Sequence, residues 1–174
     1  MPRRIAVLSV HTSPLAALGG KETGGMNVYV RELCRHLARD GWQIDVFTRL
    51  QSPDVAPFAI RNDFGYRTVH IPAGPAGPVD RRAMFDLLPE FLEGLQTFVR
   101  REGVTYELIH SHYWLSGWVA GRLAPEWGVP VVQMFHTLNR VGWRGVLEYD
   151  CHMLRAEGDP DDPAACRKRF IVNC

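Results

Sequence analysis

The sequence predicts an α/β fold, a doubly wound parallel sheet, on three observations. Short β-branched and aliphatic runs alternate with amphipathic helical stretches over most of the chain. The first run, Ile5 to Val10, is apolar on both faces, as a central parallel strand must be. Between it and the first helical stretch lies a long loop of small and polar residues ending in Gly24-Gly25, the kind of segment that meets a ligand at the carboxyl edge of such a sheet. With 174 residues, 46% of them hydrophobic, the chain suits one domain with a sizeable core.

Each element has its own signature. The first strand ends at His11, where His11-Thr12-Ser13-Pro14 opens the loop. From Met26, apolar residues recur at Tyr29, Val30, Leu33, Cys34, Leu37 and Ala38, with Arg31, Glu32, Arg35 and Arg39 on the other side, which predicts a helix ending at Gly41. Ile44 to Thr48 reads as the second strand, and the polar, proline-containing stretch that follows, up to Asp63, as irregular. Tyr66 to Ile71 is the third strand, stopped by Pro72, and PAGPAGP over 72–78 is a connector. Met84, Leu88, Phe91, Leu95, Phe98 and Val99 then fall at helical spacing from Asp80 onward; Pro89 either kinks this helix or restarts it, and Gly103 ends it. Glu107 to Ser111 reads as the fourth strand, Ser116 as the cap of a helix ending at Gly128, and Val129 to Phe135 as the fifth strand.

Charge excludes several partner classes. Lys+Arg 20 against Asp+Glu 19 leaves a net +1, and the basic residues are scattered, so neither a nucleic-acid stripe nor a basic membrane-surface patch is present. No apolar run approaches the roughly 20 residues of a membrane span. The start MPRRIAVLSV leads into a polar turn without a small-residue cleavage site, so it reads as the first strand of a cytoplasmic protein. Cys34, Cys151, Cys166 and Cys174 lack metal-type pairing and read as reduced thiols.

The candidate site grows from the glycine loop. Gly24 and Gly25 have no Cβ, so a sharp turn there brings a ligand against bare backbone N–H groups at the start of a helix, whose dipole favours a phosphate or diphosphate. A tight turn with no ligand is the alternative. His11 follows the first strand, His110 and His112 end the fourth, and His136 follows the fifth, so a doubly wound sheet delivers imidazoles from three strands to one crevice beside the loop. No carboxylate or cysteine sits at ligand spacing beside them, and no metal site is read.

These residues fall in three stretches: HTSPL followed by GGMNVYV, then HSHYWLSG at residues 110–117, then FHTL at 135–138. In that order they resemble the N-terminal domain of retaining GT-B glycosyltransferases, a group that includes sucrose-phosphate synthases and the mycothiol-pathway inositol-phosphate N-acetylglucosaminyltransferase. The resemblance implies the Rossmann-like N-terminal half of a GT-B architecture, with residues 1–141 as the acceptor-binding domain, 142–174 as a divergent or truncated tail, and a C-terminal nucleotide-sugar domain that this chain lacks. It places Gly24 and Gly25 against the donor diphosphate, Asn27 on the acceptor, and His136 on the donor sugar near the reacting centre. Tyr113 and Thr137 would hold the acceptor's polar or phosphate group, and Arg81 or Arg82 would serve the same phosphate. His11 and His112 complete the crevice. The partners implied are a small-molecule sugar donor and acceptor, the nucleotide-sugar being a substrate, with no tightly bound cofactor.

After HTL the chain departs from the inositol-phosphate branch, with Gly142 where a basic residue is usual beyond the valine, which leaves the acceptor open. A stand-alone module that binds a sugar phosphate or small anion without chemistry is the second reading. A dinucleotide-dependent oxidoreductase is disfavoured, because the loop after the first strand lacks G-x-G-x-x-G. An apolar stretch at residues 143–154 predicts either a homodimer or weak oligomer, or a missing C-terminal domain that covers it.

Overall fold

The computed structural model describes residues 3–15, 24–63, 65–136 and 170–172. Within them, β1 (Arg4–Leu8), β2 (Gln43–Arg49), β3 (Ile60–Asp63), β4 (Tyr66–Ile71), β5 (Leu108–His112), β6 (Val131–Met134) and β7 (Phe170–Val172) form one sheet, ordered β3-β4-β2-β1-β5-β6-β7. Every neighbouring pair is parallel except β3 with β4, which is antiparallel. The helices are α1 (Gly25–Arg39), α2 (Arg81–Met84), α3 (Leu88–Glu102) and α4 (Tyr113–Trp127), with a 3-10 turn at Phe85–Leu87 leading into α3.

Alternation along the central strands divides the core in two, which makes the sheet doubly wound. Ile5, Val7, Ile44 and Val46 pack with Val30 and Cys34 of α1 on one face. Ala6, Leu8, Phe47 and Ile109 pack with Phe91, Leu95 and Phe98 of α3 and Leu115, Val119 and Leu123 of α4 on the other. Each fully buried leucine or phenylalanine here contributes about 1.5–3 kcal/mol. From β1 the chain crosses through α1 to β2 on one side, whereas from β5 it crosses through α4 to β6 on the other. The order therefore reverses between β1 and β5, and the crevice at such a switch point opens at their carboxyl ends.

The fold class stands, and several elements are corrected. The stretch expected to be irregular up to Asp63 contains β3, whose backbone pairs with β4 from Ile60↔Val69 to Asp63↔Tyr66. Its sequence, IRND, shows no alternation because it lies at the sheet edge, with Ile60 itself 37% exposed. Ser116 is not a cap. α4 begins three residues earlier, with His112 as its N-cap, and the buried Ser116 hydroxyl instead accepts a hydrogen bond from the Val10 amide at 3.1 Å, tying α4 to the end of β1. Pro89 restarts the helix from within the first turn of α3, while Gly103 and Gly128 end α3 and α4 in the left-handed conformation at φ 62° and 67°. Strand β7 draws residues 170–172 into the sheet beside β6. Cys34 is a buried free thiol, and burial pushes its pKa up to about 12. The other cysteines, Thr137 and the apolar stretch 143–154 lie outside the described residues.

In the amino-terminal half of β2, away from the crevice, Asp45 is fully buried. Its carboxylate accepts hydrogen bonds from Arg4 at 2.8 Å, from Arg67 at 2.6 and 2.8 Å, and from the Tyr106 hydroxyl at 2.8 Å. These donors outweigh the cost of burial and hold Asp45 below the usual carboxylate range. The polar cluster staples three strands, since Arg4, Asp45 and Arg67 stand on β1, β2 and β4.

Candidate functional site

The loop after β1 forms the floor of the crevice. Ser9 donates to the Thr12 carbonyl at 2.7 Å, and His11, Thr12 and Ser13 are all buried. Asn27, in the first turn of α1, donates its amide to Thr12 Oγ1 and to the Ser13 carbonyl, both at 2.7 Å, and so locks the helix start to the loop. Among the described residues, nothing hydrogen-bonds the buried Asn27 Oδ1 oxygen. A buried acceptor in that state has a standing cost, which a donor from a bound molecule would remove.

Neither Gly24 nor Gly25 adopts a left-handed conformation, and Gly24 is extended at φ −149° as the N-cap of α1. This corrects the expected sharp turn. The chain enters the helix along a path open to any residue, and among the described residues outside its own helix turn a Cβ at either glycine would meet nothing within 4 Å. Among the described residues, the space beside the two glycines is open, and the 15-residue helix they lead into has no acidic residue in its first turn and no capping side-chain hydrogen bond. The N-terminus of α4 is likewise uncapped and free of acids, whereas α3 carries Glu90 in its first turn. Among the described residues, two of the three long helices thus present positive dipole ends at the carboxyl edge of the sheet with no side-chain cap and no acid in the first turn.

The imidazoles meet as the strand order requires. Ile109 faces the core under α3 and α4, so His110 and His112 turn to the α1 face. Their rings lie 4.2 Å apart, and His112 Nδ1 stands 2.9 Å from His136 Nε2. One of these two nitrogens carries the shared proton, so the pair holds at most one charge. His11 stacks at 4.5 Å on Tyr113, the first residue of α4. Burial brings His110 down to about 4, and burial followed by the neighbouring imidazoles holds His112 well below its ordinary range; burial also lowers His136. At neutral pH His110, His112 and His136 are therefore neutral hydrogen-bonding rings.

Helical spacing put Tyr29 on the apolar face of its helix, and the structure corrects this. Tyr29 is 39% exposed and sets its ring edge-on to His112 and His136, at 5.9 and 5.4 Å. Tyr113 and His136 have positive φ, 70° and 61°, a conformation that costs a non-glycine residue of order 1–3 kcal/mol and gathers at functional sites. Arg49 was not singled out in the sequence. It is buried at the end of β2 and donates to the carbonyls of Ala73 and Pro75, at 3.2 and 2.7 Å, and of Gly77, so it clamps the connector ahead of α2. Arg81 and Arg82 are the first two residues of that helix, their side chains outside the described set. Gly24, Gly25, Asn27, His11, His112, Tyr113 and His136 thus gather at the loop after β1 and the starts of α1 and α4.

Comparison with known proteins identifies the family. The model of the glycosyl transferase 4-like domain matches residues 24–172. The chain belongs to this family. The glycosyl transferase 4-like chain is 49% identical over 141 residues to the D-inositol 3-phosphate glycosyltransferase of Saccharomonospora viridis, which covers 80% of this chain and 32% of that protein. It is 44% identical over 165 residues to the enzyme of the same name from Rhodococcus erythropolis, covering 94% and 35%. Among solved structures it resembles sucrose-phosphate synthase from Thermosynechococcus elongatus, with a TM-score of 0.77, 30% identity, and coverage of 98% of this chain and 47% of that one. The chain spans about a third of the length of the curated relatives it matches.

Proposed function

We propose that this glycosyl transferase 4-like chain is the acceptor-side domain of a retaining GT-B glycosyltransferase, which moves a sugar from a nucleotide-sugar to a small, polar, phosphorylated acceptor in the cytoplasm. The observation that carries the reading is the convergence, at the β1/β5 switch point, of an open helix N-terminus, an unpartnered buried acceptor and a neutral imidazole pair. Relatives named D-inositol 3-phosphate glycosyltransferase support the substrate class.

In this reading the N–H groups after Gly24 meet the donor diphosphate and stabilise the negative charge that grows on it as the sugar departs. Asn27 Oδ1 takes a hydroxyl proton of the acceptor in a hydrogen bond, its amide being already committed to the loop. His136, neutral and held by His112, contacts the sugar without adding a charge that would compete with the helix dipole for the diphosphate. Tyr113 and Thr137 hold the acceptor's phosphate with Arg81 or Arg82. The nucleotide-sugar is itself a substrate, and no tightly held cofactor takes part.

Transfer needs donor and acceptor in near-attack contact, so the 174 residues alone are expected to turn over no nucleotide-sugar. Mixing them with the separately expressed C-terminal portion of the Saccharomonospora viridis relative, and assaying release of nucleoside diphosphate with inositol phosphate as acceptor, should restore measurable transfer. Transfer by the isolated chain would overturn the division of labour; binding of inositol phosphate without transfer in any pairing would favour a module that binds without chemistry.

A further inference from the structure

The side chain of Gln133, on β6, is buried between the two strand ends that supply the imidazole pair. Its Nε2 donates to the carbonyls of Tyr113 and Met134, both at 3.2 Å, and its Oε1 accepts from the buried Ser111 hydroxyl of β5. The two carbonyls can only accept, so the amide nitrogen must face them and its oxygen the hydroxyl. Tyr113 and His136 are the residues beside this amide that hold positive φ, and a left-handed non-glycine residue persists only where its surroundings over-determine it. A second observation bears on the same place. Gly117 lies inside α4, where glycine is unfavourable, and a Cβ there would stand 2.7 Å from Gln133 Oε1. The helix leaves room for this amide.

We infer that Gln133 is a positioning residue, which ties the end of β6 to the strained β5–α4 turn and thereby sets the contact between His112 and His136. This rests on reading the crevice as the substrate site only for its consequence in function; the clamp itself is a statement about geometry. Gln133 touches neither imidazole. It acts on His112 through the Tyr113 carbonyl one residue on, and on His136 through the Met134 carbonyl two residues before it.

The test compares Ser111→Ala, the double variant Ser111→Ala/Gln133→Met, and Gly117→Ala with the wild type, by thermal melting and by ring-nitrogen NMR of the histidines. Methionine fills the volume of glutamine, and removing the Ser111 hydroxyl with it leaves no hydroxyl donor stranded without its acceptor. The double variant is expected to fold, with a melting temperature somewhat below that of Ser111→Ala because the Tyr113 and Met134 carbonyls lose their donor, while the ring nitrogens of His112 and His136 lose the signature of a shared proton and those of His110 shift little. Gly117→Ala keeps Gln133 but displaces it, and should give the same loss. A folded double variant with unchanged His112 and His136 signals would overturn the inference. So would a double variant that fails to fold while Ser111→Ala folds, because Gln133 would then serve the core and not the pair. Inorganic diphosphate is titrated into the wild type alongside; its failure to bind would count against the proposed function and leaves the ring signals to decide the clamp.

Discussion

Replacing Asp45 by alanine is expected to lower the stability of the domain by about 3–5 kcal/mol, the range found when one partner of a buried ion cluster is removed. Its carboxylate has no exposed surface and receives four hydrogen bonds, from Arg4, twice from Arg67, and from Tyr106. Without it, two guanidinium groups with side chains only 17% and 27% exposed face each other across an empty site. The Arg3–Glu107 pair is the control, because its side chains are 66% and 50% exposed and solvent screens them. Glu107→Ala should change stability little. Urea unfolding of both variants checks the contrast, and equal small losses would show that the Asp45 cluster is not what holds β1, β2 and β4 together.

Mild acid is expected to destabilise the domain through the crevice and not through that cluster. His110 has a native pKa of about 4, against about 6.5 for an unfolded chain, so the unfolded state takes up the proton first as pH falls. Its contribution is intact above pH 6.5, declines by about 1.4 kcal/mol per pH unit, and is lost by about pH 4, a total of about 3 kcal/mol. His112 is shifted in the same direction and steepens the decline. Asp45 is held low and contributes in a lower window, below the ordinary carboxylate pKa, where it too loses stability as it protonates. Urea midpoints measured between pH 7.5 and 5 should fall for the wild type and fall less steeply for His110→Gln. A flat profile in that range would mean that the imidazoles are not buried as neutral rings.

Much of the fold is legible because it rests on local signals. The bounds of Tyr66–Ile71 follow from a β-branched run stopped by proline, and Gly103 and Gly128 end their helices because a left-handed stop favours glycine. What stayed hidden depends on partners distant in the chain. β3 is polar and pairs only at an edge; Arg49 and Gln133 act on backbone carbonyls that no side-chain pattern reveals. Ser116 looked like a cap because it precedes an apolar run, but β1 competes for its hydroxyl. The sequence placed the histidines at strand ends, and the strand order then brought His112 to His136 across 24 residues of chain. Periodicity reports which face of a helix is apolar and cannot report that Tyr29 meets His112 and His136, which are distant in the chain.

The central claim is that the open start of α1 is an anion site and the glycine pair more than a way into a helix. Gly25→Val tests it directly, since the added Cβ meets no atom of the other described residues within 4 Å beyond its own helix turn, and the residue is not left-handed. Folding should survive with a loss below about 1 kcal/mol, the helix-propensity scale for such a change. The side chain should nevertheless occupy the space over the first N–H groups, where a diphosphate would lie. Calorimetric titration of inorganic diphosphate into the wild type and into Gly25→Val is the measurement. The account predicts saturable binding by the wild type and at least a tenfold loss in an equally well-folded variant; equal binding by both, or none by a folded wild type, would contradict it.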